Sequence, residues 1–220
     1  MQQIKSHSAA AVSSRLYQLF ALIFSYPDAD WVAAIHAGEV AERLRELFEL
    51  CGEPASVTLI TPDLQALTDA GEDDDALAVE YTRLFDTGPG GTPISLHGGH
   101  HQGGRMQTME EVLRFYQHFG IALNRQLNEL PDHLVSELEF MHFMSFSEAS
   151  LLAGGGDAGH FQRGQLDFLT RQLGRWAPEL HPVLLQHQAL PFFAETTRLL
   201  GCFLQQEQVR LARAGDSARG

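Results

Sequence analysis

Apolar residues recur at intervals of three or four along most of this chain, and this spacing favours a helical fold. Such stripes occupy 16–24, 40–51, 112–119, 166–176 and 192–203. Thr108 and Glu111 match a capping box, which predicts a helix that starts at Thr108. Strict alternation, the pattern of a half-buried strand, is limited to a weak candidate at 56–60. The sequence therefore predicts an all-α fold, built as a single helical bundle.

Two glycine-rich segments interrupt the predicted helices. The shorter is a linker at 153–159, and the longer, at 87–105, contains seven glycines and two prolines. A loop of that length inside a compact helical domain is usually functional, and its glycines predict mobility in the absence of a partner. We place one all-helical domain at 1–212, with this loop inside it, and a frayed tail at 213–220.

The charge balance restricts the possible partners. The formal net charge is −13, and Lys5 is the only lysine, so the chain repels nucleic acid and anionic lipid and attracts basic partners. No apolar run approaches the roughly 20 residues of a membrane span, and the first residues lack the pattern of a signal peptide. Cys51 and Cys202 fall in apolar helical patterns, which favours core thiols over a disulfide. We therefore expect a cytoplasmic protein that binds no nucleic acid and is not stably inserted in a membrane.

The segment 130–141, Leu-Pro-Asp-His-Leu-Val-Ser-Glu-Leu-Glu-Phe-Met, combines acids with apolar residues on one predicted helix. Pro131 suits the entry to a helix, and Asp132 follows it at the end where the helix dipole favours an anion. His133 and Glu137 are four residues apart, so they share a face that aromatic and methionine side chains continue. This pattern predicts one wall of a groove.

A second acid lies inside an apolar stripe. Glu80 falls among Leu77, Tyr81, Leu84 and Phe85, the apolar face of a predicted helix. A carboxylate in that position is costly unless it is paired or lines a wet cleft. The sequence leaves two interpretations open, namely an internal partner such as an arginine on a neighbouring helix, or a place in the wall of the same groove.

Three histidines, His97, His100 and His101, lie in the long loop. Imidazole is the commonest metal ligand, but no cysteine pair and no HExxH motif accompanies them. We therefore expect no resident metal and no cofactor. The alternative that stays open is a helical metal- or cofactor-binding enzyme that uses these histidines together with His133 and Glu137.

Two further catalytic patterns are weak. A nucleophilic triad could draw on Ser95 or Ser136 with His133 and Asp132, but neither serine lies on the strained turn that exposes a nucleophile. A phosphate-binding loop is excluded because the chain has no G-x-x-x-x-G-K-[ST] motif and no strand precedes the glycines. Looser contact of a nucleotide with the loop backbone stays open. We expect the protein not to be an enzyme.

Two motifs together resemble the signatures of the TorD/DmsD/NarJ family of molybdoenzyme maturation chaperones. They are Glu-Tyr-x-x-Leu-Phe at 80–85, followed by the Gly/Pro loop, and Pro-Asp-His-Leu-x-x-Glu-Leu-Glu-Phe-Met at 131–141. Segments at 111–120 and 168–176 also fit, so the resemblance covers roughly residues 10–205.

The resemblance implies an all-helical cytoplasmic chaperone for the molybdenum catalytic subunit of a DMSO reductase-family enzyme. Such a chaperone binds the body of the subunit and its twin-arginine leader, assists insertion of the molybdopterin cofactor and delays export until insertion is complete. Here Thr-Pro-Ile-Ser-Leu-His at 92–97 replaces the Pro-x-x-Pro-Tyr-Glu-Ser-like loop of many members. This version resembles the branch that serves dimethylsulfide, chlorate, selenate or ethylbenzene dehydrogenase-type enzymes.

A twin-arginine leader presents two guanidinium groups followed by an apolar segment. Acids beside an apolar strip are its chemical complement, because arginine pairs well with carboxylates and an apolar helix fits an apolar groove. The residues expected to contact the client and its leader are Glu80, Tyr81, Leu84, Phe85, Pro131, Asp132, His133, Glu137 and Phe140.

Overall fold

The computed structural model of the protein describes residues 8–51, 60–73, 75–86, 92–122 and 130–217. Its helices are α1 (Ala9–Ile23), α2 (Ala29–His36), α3 (Glu39–Cys51), α4 (Leu64–Thr68), α5 (Ala76–Phe85), α6 (Gly98–His101), α7 (Arg105–His118), α8 (Leu134–Ala153), α9 (Gly159–Arg171), α10 (Leu173–Trp176), a 3₁₀ turn (Ala177–Glu179), α11 (Leu180–Gln186) and α12 (Pro191–Ser217). The described residues form no strand, only an isolated bridge between His97 and His133. The predicted all-α fold is confirmed.

The long helix α8 packs mainly against α1 and α9. Its side chains Met141 and Met144 are fully buried, and α1 packs along its length while α9 packs on another side. Phe168 of α9 belongs to the same core. Phe20 of α1 stacks on Phe203 of α12, with ring centroids 5.9 Å apart. Residues 134–138 of α8 are all buried, so the first turn, which carries the second sequence motif, lies in the core.

Several predicted boundaries differ from the structure. Helix α7 begins at Arg105, so Thr108 is a buried residue inside the helix and not its N-cap. Helix α12 continues to Ser217, five residues into the predicted tail, and the last three residues lie outside the described part. The long glycine segment contains α6, while 87–91 lies outside the described residues. Of the weak strand candidate, only Ile60 is described, and it is not in a strand.

A buried ion-pair network joins α12 to α8. Arg210 donates to both carboxylate oxygens of Glu148, at 2.8 and 3.1 Å, and to Glu207 at 2.9 Å. Ser13 and Gln165 donate further hydrogen bonds to the two acids, to Glu207 and Glu148 respectively. Burial alone would raise the pKa of Glu148, but the Arg210 guanidinium holds it below its usual value. The network thus lets the Glu148 carboxylate remain charged inside the bundle.

None of the helices among the described residues is both long enough and apolar enough to cross a lipid bilayer.

Replacing Arg210 by methionine would leave Glu148 and Glu207 buried without their shared cation. We expect the free energy of unfolding to fall by about 3–5 kcal/mol, the range for removing one partner of a buried ion pair. Urea denaturation followed by circular dichroism measures the change. Arg43→Met is the matched control, because Arg43 and its partner Glu46 are exposed at the surface. An equal effect of the two substitutions would contradict a stabilising role for the network.

Candidate functional site

The segment after 92 connects the two sequence motifs through backbone hydrogen bonds. The Ile94 N–H donates to the Leu84 carbonyl at the end of α5, at 3.0 Å. The Leu134 N–H at the start of α8 donates to the Leu96 carbonyl at 2.8 Å. Ile94 and Leu96 are buried, so this segment is part of the core and not a loose surface connection. The motif at 80–85 and the motif at 131–141 are therefore joined by the chain that lies between them.

Asp132 fixes the short helix α6. The Gly98 N–H donates to the Asp132 carbonyl at 2.8 Å, and the Gly99 N–H donates to Asp132 Oδ2 at 3.0 Å. Burial alone would raise the pKa of Asp132, but the His97 ring and the Gly99 N–H hold it below its usual value. Asp132 thus acts as a charged acceptor for the first turn of α6, a different helix from the one predicted for it.

Glycines permit the close approach of α6 to the acids. A Cβ on Gly98 would lie 2.9 Å from Trp176 Nε1 and 3.2 Å from Glu137 Oε1. A Cβ on Gly99 would lie 2.8 Å from the Arg105 Cα and 2.9 Å from Asp132 Oδ2. At each position the nearest atom lies within 2.9 Å, closer than Cβ atoms approach their neighbours, so α6 can lie this close to the two acids only because both residues are glycine.

Glu137 is fully buried in the first turn of α8. The Trp176 indole N–H donates to Glu137 Oε2 at 3.2 Å. Burial raises the pKa of this carboxyl well above its usual value, and the nearby Asp132 raises it further, while the indole hydrogen bond opposes both. Two acids that are close together thus have opposite tendencies, since Asp132 favours the charged form and Glu137 the neutral form.

His133 is the N-cap of α8, and Asp132, which the sequence places at the same helix end, precedes it. The His133 Nδ1 accepts a hydrogen bond from the Val135 N–H at 3.3 Å, so Asp132 lies before the helix and not in its first turn. Burial, together with the nearby His97, lowers the pKa of His133 to about 4. The His133 ring is therefore neutral near pH 7, and it lies 4.9 Å from the His97 ring, centroid to centroid.

The histidines of the long segment form the outer layer of this region. His100 and His101 are exposed, and the side chain of His97 is 28% exposed. The His101 ring stacks on Trp176 with centroids 5.1 Å apart. We call this arrangement the histidine–carboxylate site. Asp132 and Glu137 lie beneath α6 with Trp176 beside them. Its histidines are His97, His100, His101 and His133.

Three polar atoms of the histidine–carboxylate site are buried without a hydrogen-bond partner among the described residues. They are Asp132 Oδ1, Glu137 Oε1 and His97 Nδ1. The Asp132 and His97 atoms face each other at 3.5 Å, too far for a good hydrogen bond. Buried polar atoms without hydrogen bonds cost free energy. The packing of α6 over this site is therefore less stable than it would be if all three atoms were hydrogen-bonded.

Glu80, which the sequence places inside an apolar stripe, is paired within the fold. Glu80 forms a bidentate ion pair with Arg83 on its own helix, at 2.6 and 2.8 Å, and accepts from the Leu190 N–H at 3.0 Å. Burial alone would raise the pKa of Glu80, but Arg83 and this N–H hold it below its usual value. Of the two interpretations left open by the sequence, Glu80 therefore has an internal partner. That partner is Arg83 on the same helix, not an arginine on a neighbouring helix.

Most of the other predicted contact residues lie in the core. Leu84, Phe85 and Phe140 are buried, and the Tyr81 hydroxyl donates to the Phe24 carbonyl at 3.0 Å. Pro131 is also buried. The Tyr116 hydroxyl donates to its carbonyl at 2.9 Å. These residues support the site from behind and are not part of an open groove in this conformation.

The sequence interpretation missed three contributors to this site. Trp176 was assigned to a core stripe, although its N–H reaches Glu137 across 39 positions of sequence. Gly98 and Gly99 were assigned to a mobile loop, although both are buried and hydrogen-bonded. The adjacent glycines directly before two histidines were the available signal, because paired glycines often mark a close backbone approach.

Within the described ranges, no three His, Cys, Asp or Glu side chains are grouped so that they could hold a metal ion.

Comparison with known proteins assigns the family. The profile of the family described as nitrate reductase delta subunit matches residues 39–181. This chain belongs to that family. The assignment agrees with the TorD/NarJ resemblance, and the matched residues include α5 and all the residues of the histidine–carboxylate site.

Several curated proteins are similar over most of this chain. The chlorate reductase assembly chaperone protein of Ideonella dechloratans is 32% identical over 92% of this chain and 91% of its own. The selenate reductase assembly chaperone protein of Thauera selenatis is 34% identical over 74% and 72%. The dimethyl sulfide dehydrogenase assembly chaperone protein of Rhodovulum sulfidophilum is 31% identical over 86% and 76%. A solved redox enzyme maturation protein from Archaeoglobus fulgidus aligns at 22% identity over 88% and 93%, with a TM-score of 0.46, too low to support an argument about the site.

Glu137→Gln tests the state of the buried carboxyl. Between the ordinary pKa of glutamate and the raised folded value, the folded state keeps a proton that the unfolded state has lost. Stability from this group is therefore complete below the ordinary value and falls as the pH rises. Glutamine keeps an oxygen for the Trp176 N–H, so we expect the variant to melt higher than wild type at pH 8 and to differ little at pH 4. A lower melting temperature of the variant at pH 8 would show that Glu137 is charged.

Gly99→Ala tests the close approach of α6. Since the added Cβ would meet the Arg105 backbone, we expect a clear loss of stability, on the order of 1–3 kcal/mol for overpacking. Gly104→Ala is the matched control, because a Cβ there has no neighbour closer than 3.7 Å and its φ of −159° suits any residue. Thermal melts of the two variants should differ, and equal melting temperatures would contradict the packing described for α6.

Proposed function

We propose that this protein is an assembly chaperone for the catalytic subunit of a molybdenum-containing oxidoreductase, of the kind named by its relatives. The observation that carries this proposal is the 32% identity to a chlorate reductase assembly chaperone over 92% of this chain. Proteins named as assembly chaperones for selenate reductase and dimethyl sulfide dehydrogenase support the same role. These names describe chaperones and not catalysts, so they do not support the alternative of a metal- or cofactor-binding enzyme at His133 and Glu137.

Within this role, we propose that the histidine–carboxylate site binds a guanidinium group of the client's twin-arginine leader. Asp132 and Glu137 are the acids of this site, and each has one carboxylate oxygen without a hydrogen-bond partner among the described residues. A guanidinium has five N–H donors in a flat fork, so one group can donate to the charged Asp132 and to the free oxygen of Glu137 at once. A lysine ammonium lacks that geometry. The chemistry of the site therefore favours arginine over lysine.

Access to these acids requires a movement of α6. Both carboxylates are fully buried beneath it, so a leader cannot reach them while α6 is in place. The helix has only four residues, and Asp132 holds it through the Gly98 and Gly99 N–H groups. A guanidinium that pairs with Asp132 would replace the Gly99 hydrogen bond with a stronger, charge-assisted one. We propose that the leader displaces α6 and that the exposed histidines then border the bound peptide.

The peptide preference gives the first functional test. We expect a synthetic twin-arginine leader to bind with micromolar affinity, about −8 kcal/mol, and a twin-lysine version to bind at least tenfold more weakly. Calorimetry at two salt concentrations measures both affinities, which should weaken as salt screens the charges. Equal affinities for the two peptides would contradict guanidinium recognition, whatever the role of the protein as a chaperone.

Asp132→Asn gives the second functional test. Asparagine keeps an oxygen for the Gly99 N–H but loses the charge, so we expect near-normal melting together with lost leader binding and lost client maturation. Activity and molybdenum content of the client, produced with each chaperone variant, measure maturation. Asp30→Asn is the matched control, because it removes one charge from an exposed position on α2. Normal maturation with Asp132→Asn would assign Asp132 a structural role only.

A further inference from the structure

Glu137 is buried in surroundings that suit a neutral carboxyl and not a charged one. Its side chain is fully buried, and the neutral Trp176 indole donates a hydrogen bond to Oε2 at 3.2 Å. The other oxygen, Oε1, has no hydrogen-bond partner among the described residues. A charged carboxylate without a cation and with one neutral donor is costly to bury. The surroundings therefore favour the form of Glu137 that keeps its proton.

Helix α6 shields this carboxyl from water. Gly98 of α6 lies against it, since a Cβ on Gly98 would be 3.2 Å from Glu137 Oε1. The helix has four residues, and the Gly98 and Gly99 N–H groups attach it to Asp132. A small element held by few contacts opens at a lower free energy than the core does. Once α6 is open, water reaches Oε1, and a hydrated carboxyl has its ordinary pKa.

The other titratable and charged groups around Glu137 come from the elements packed against it. Asp132, directly before α8, carries a negative charge and opposes a second one at Glu137. Burial and the nearby Glu137 raise the pKa of Tyr116 of α7, so its hydroxyl is neutral near pH 7. The remaining groups are His97 before α6, His100 and His101 of α6, Arg105 at the start of α7, His133 at the start of α8 and Arg175 of α10. In the part of the chain that the structure describes, no ion pair includes Glu137.

We propose that the opening of α6 is coupled to the loss of the Glu137 proton. While α6 is closed, as in this structure, the carboxyl is neutral. When α6 opens, the O–H bond of the carboxyl breaks, the proton passes to water and the carboxylate becomes charged. The coupling itself does not depend on the leader. Its consequence rests on the proposed leader site, because the open site presents two charged carboxylates to a guanidinium, so that leader binding releases a proton.

The directions of the pKa shifts fix the pH range in which the coupling is visible. Burial and Asp132 raise the pKa of Glu137 well above its ordinary value, so opening releases a proton between the two values and becomes more favourable as the pH rises there. Burial lowers the pKa of His133 to about 4 from its ordinary 6.5, so an opening that exposes this ring has the opposite pH dependence, but only below pH 6.5. The pKa of Asp132 is lowered, so its effect is confined to acid pH. Above pH 6.5, neither His133 nor Asp132 masks the effect of Glu137.

Hydrogen exchange of the free, full-length protein between pH 6.5 and 8 tests the coupling. Protection of the amides at 99–102, corrected for the intrinsic pH dependence of exchange, reports the open population of α6. We expect this population to rise at least threefold over the range in wild type and to stay constant in Glu137→Gln, which keeps an oxygen for the Trp176 N–H but cannot ionise. The Leu134 amide, which donates to the Leu96 carbonyl, is the internal control and should show no such rise.

His97→Gln is the matched variant, because it removes another titratable side chain of the same site, 3.5 Å from Asp132, and leaves Glu137 in place. The rise should persist in it. The proposal is overturned if wild type shows no rise, if Glu137→Gln shows the same rise, or if His97→Gln abolishes it. These outcomes need no peptide, so they separate a failure of the coupling from a failure of the leader site. Calorimetry of a bound twin-arginine leader in two buffers of different ionisation heat should show proton release by wild type, and binding without release would also overturn the proposal.

Discussion

The hydrogen bond from the Gly99 N–H to the Asp132 carboxylate is the contact on which the candidate site depends. It attaches α6 to the start of α8, which packs along α1 and α9. The two bonds on either side of it, from Gly98 to the Asp132 carbonyl and from Leu134 to the Leu96 carbonyl, only position the backbone. Because Asp132 is charged and buried, its strongest available interactions are with N–H donors, and α6 supplies one of them.

This contact explains why the two family motifs occur together. The Ile94 N–H donates to the Leu84 carbonyl in the last turn of α5, and the segment from Ile94 leads directly to α6. The first motif thus anchors one end of the covering segment, and the second motif supplies the acids that it covers. Both motifs serve the same arrangement, although Glu80 itself is committed to Arg83. The family assignment gives this arrangement a biological setting, since the relatives of this chain are named as assembly chaperones.

The sequence predicted the helices well because apolar periodicity reports which face of a helix is buried, and burial is what stabilises these helices. It failed where local patterns were ambiguous. Helix α6 is too short to show any period, and α12 runs past its predicted end although, of its last five residues, only Arg213 and Ala214 are good helix formers. The sequence does show a partner for Glu80, since Arg83 lies three residues away on the same helix. The contact of Trp176 with Glu137 could not be predicted, because only tertiary packing brings these two residues together.

The central claim is that the leader displaces α6 to reach the buried acids, and hydrogen exchange tests it most directly. The Gly99 and Gln102 N–H groups are hydrogen-bonded in the free protein, to Asp132 and to the Gly98 carbonyl. Amide exchange resolved by mass spectrometry, with and without a twin-arginine leader peptide, reports on these bonds. The account predicts faster exchange at 99–102 when the leader is bound, while the Leu134 amide in the adjoining turn stays protected. Slower or unchanged exchange at 99–102, with the peptide demonstrably bound, would contradict it.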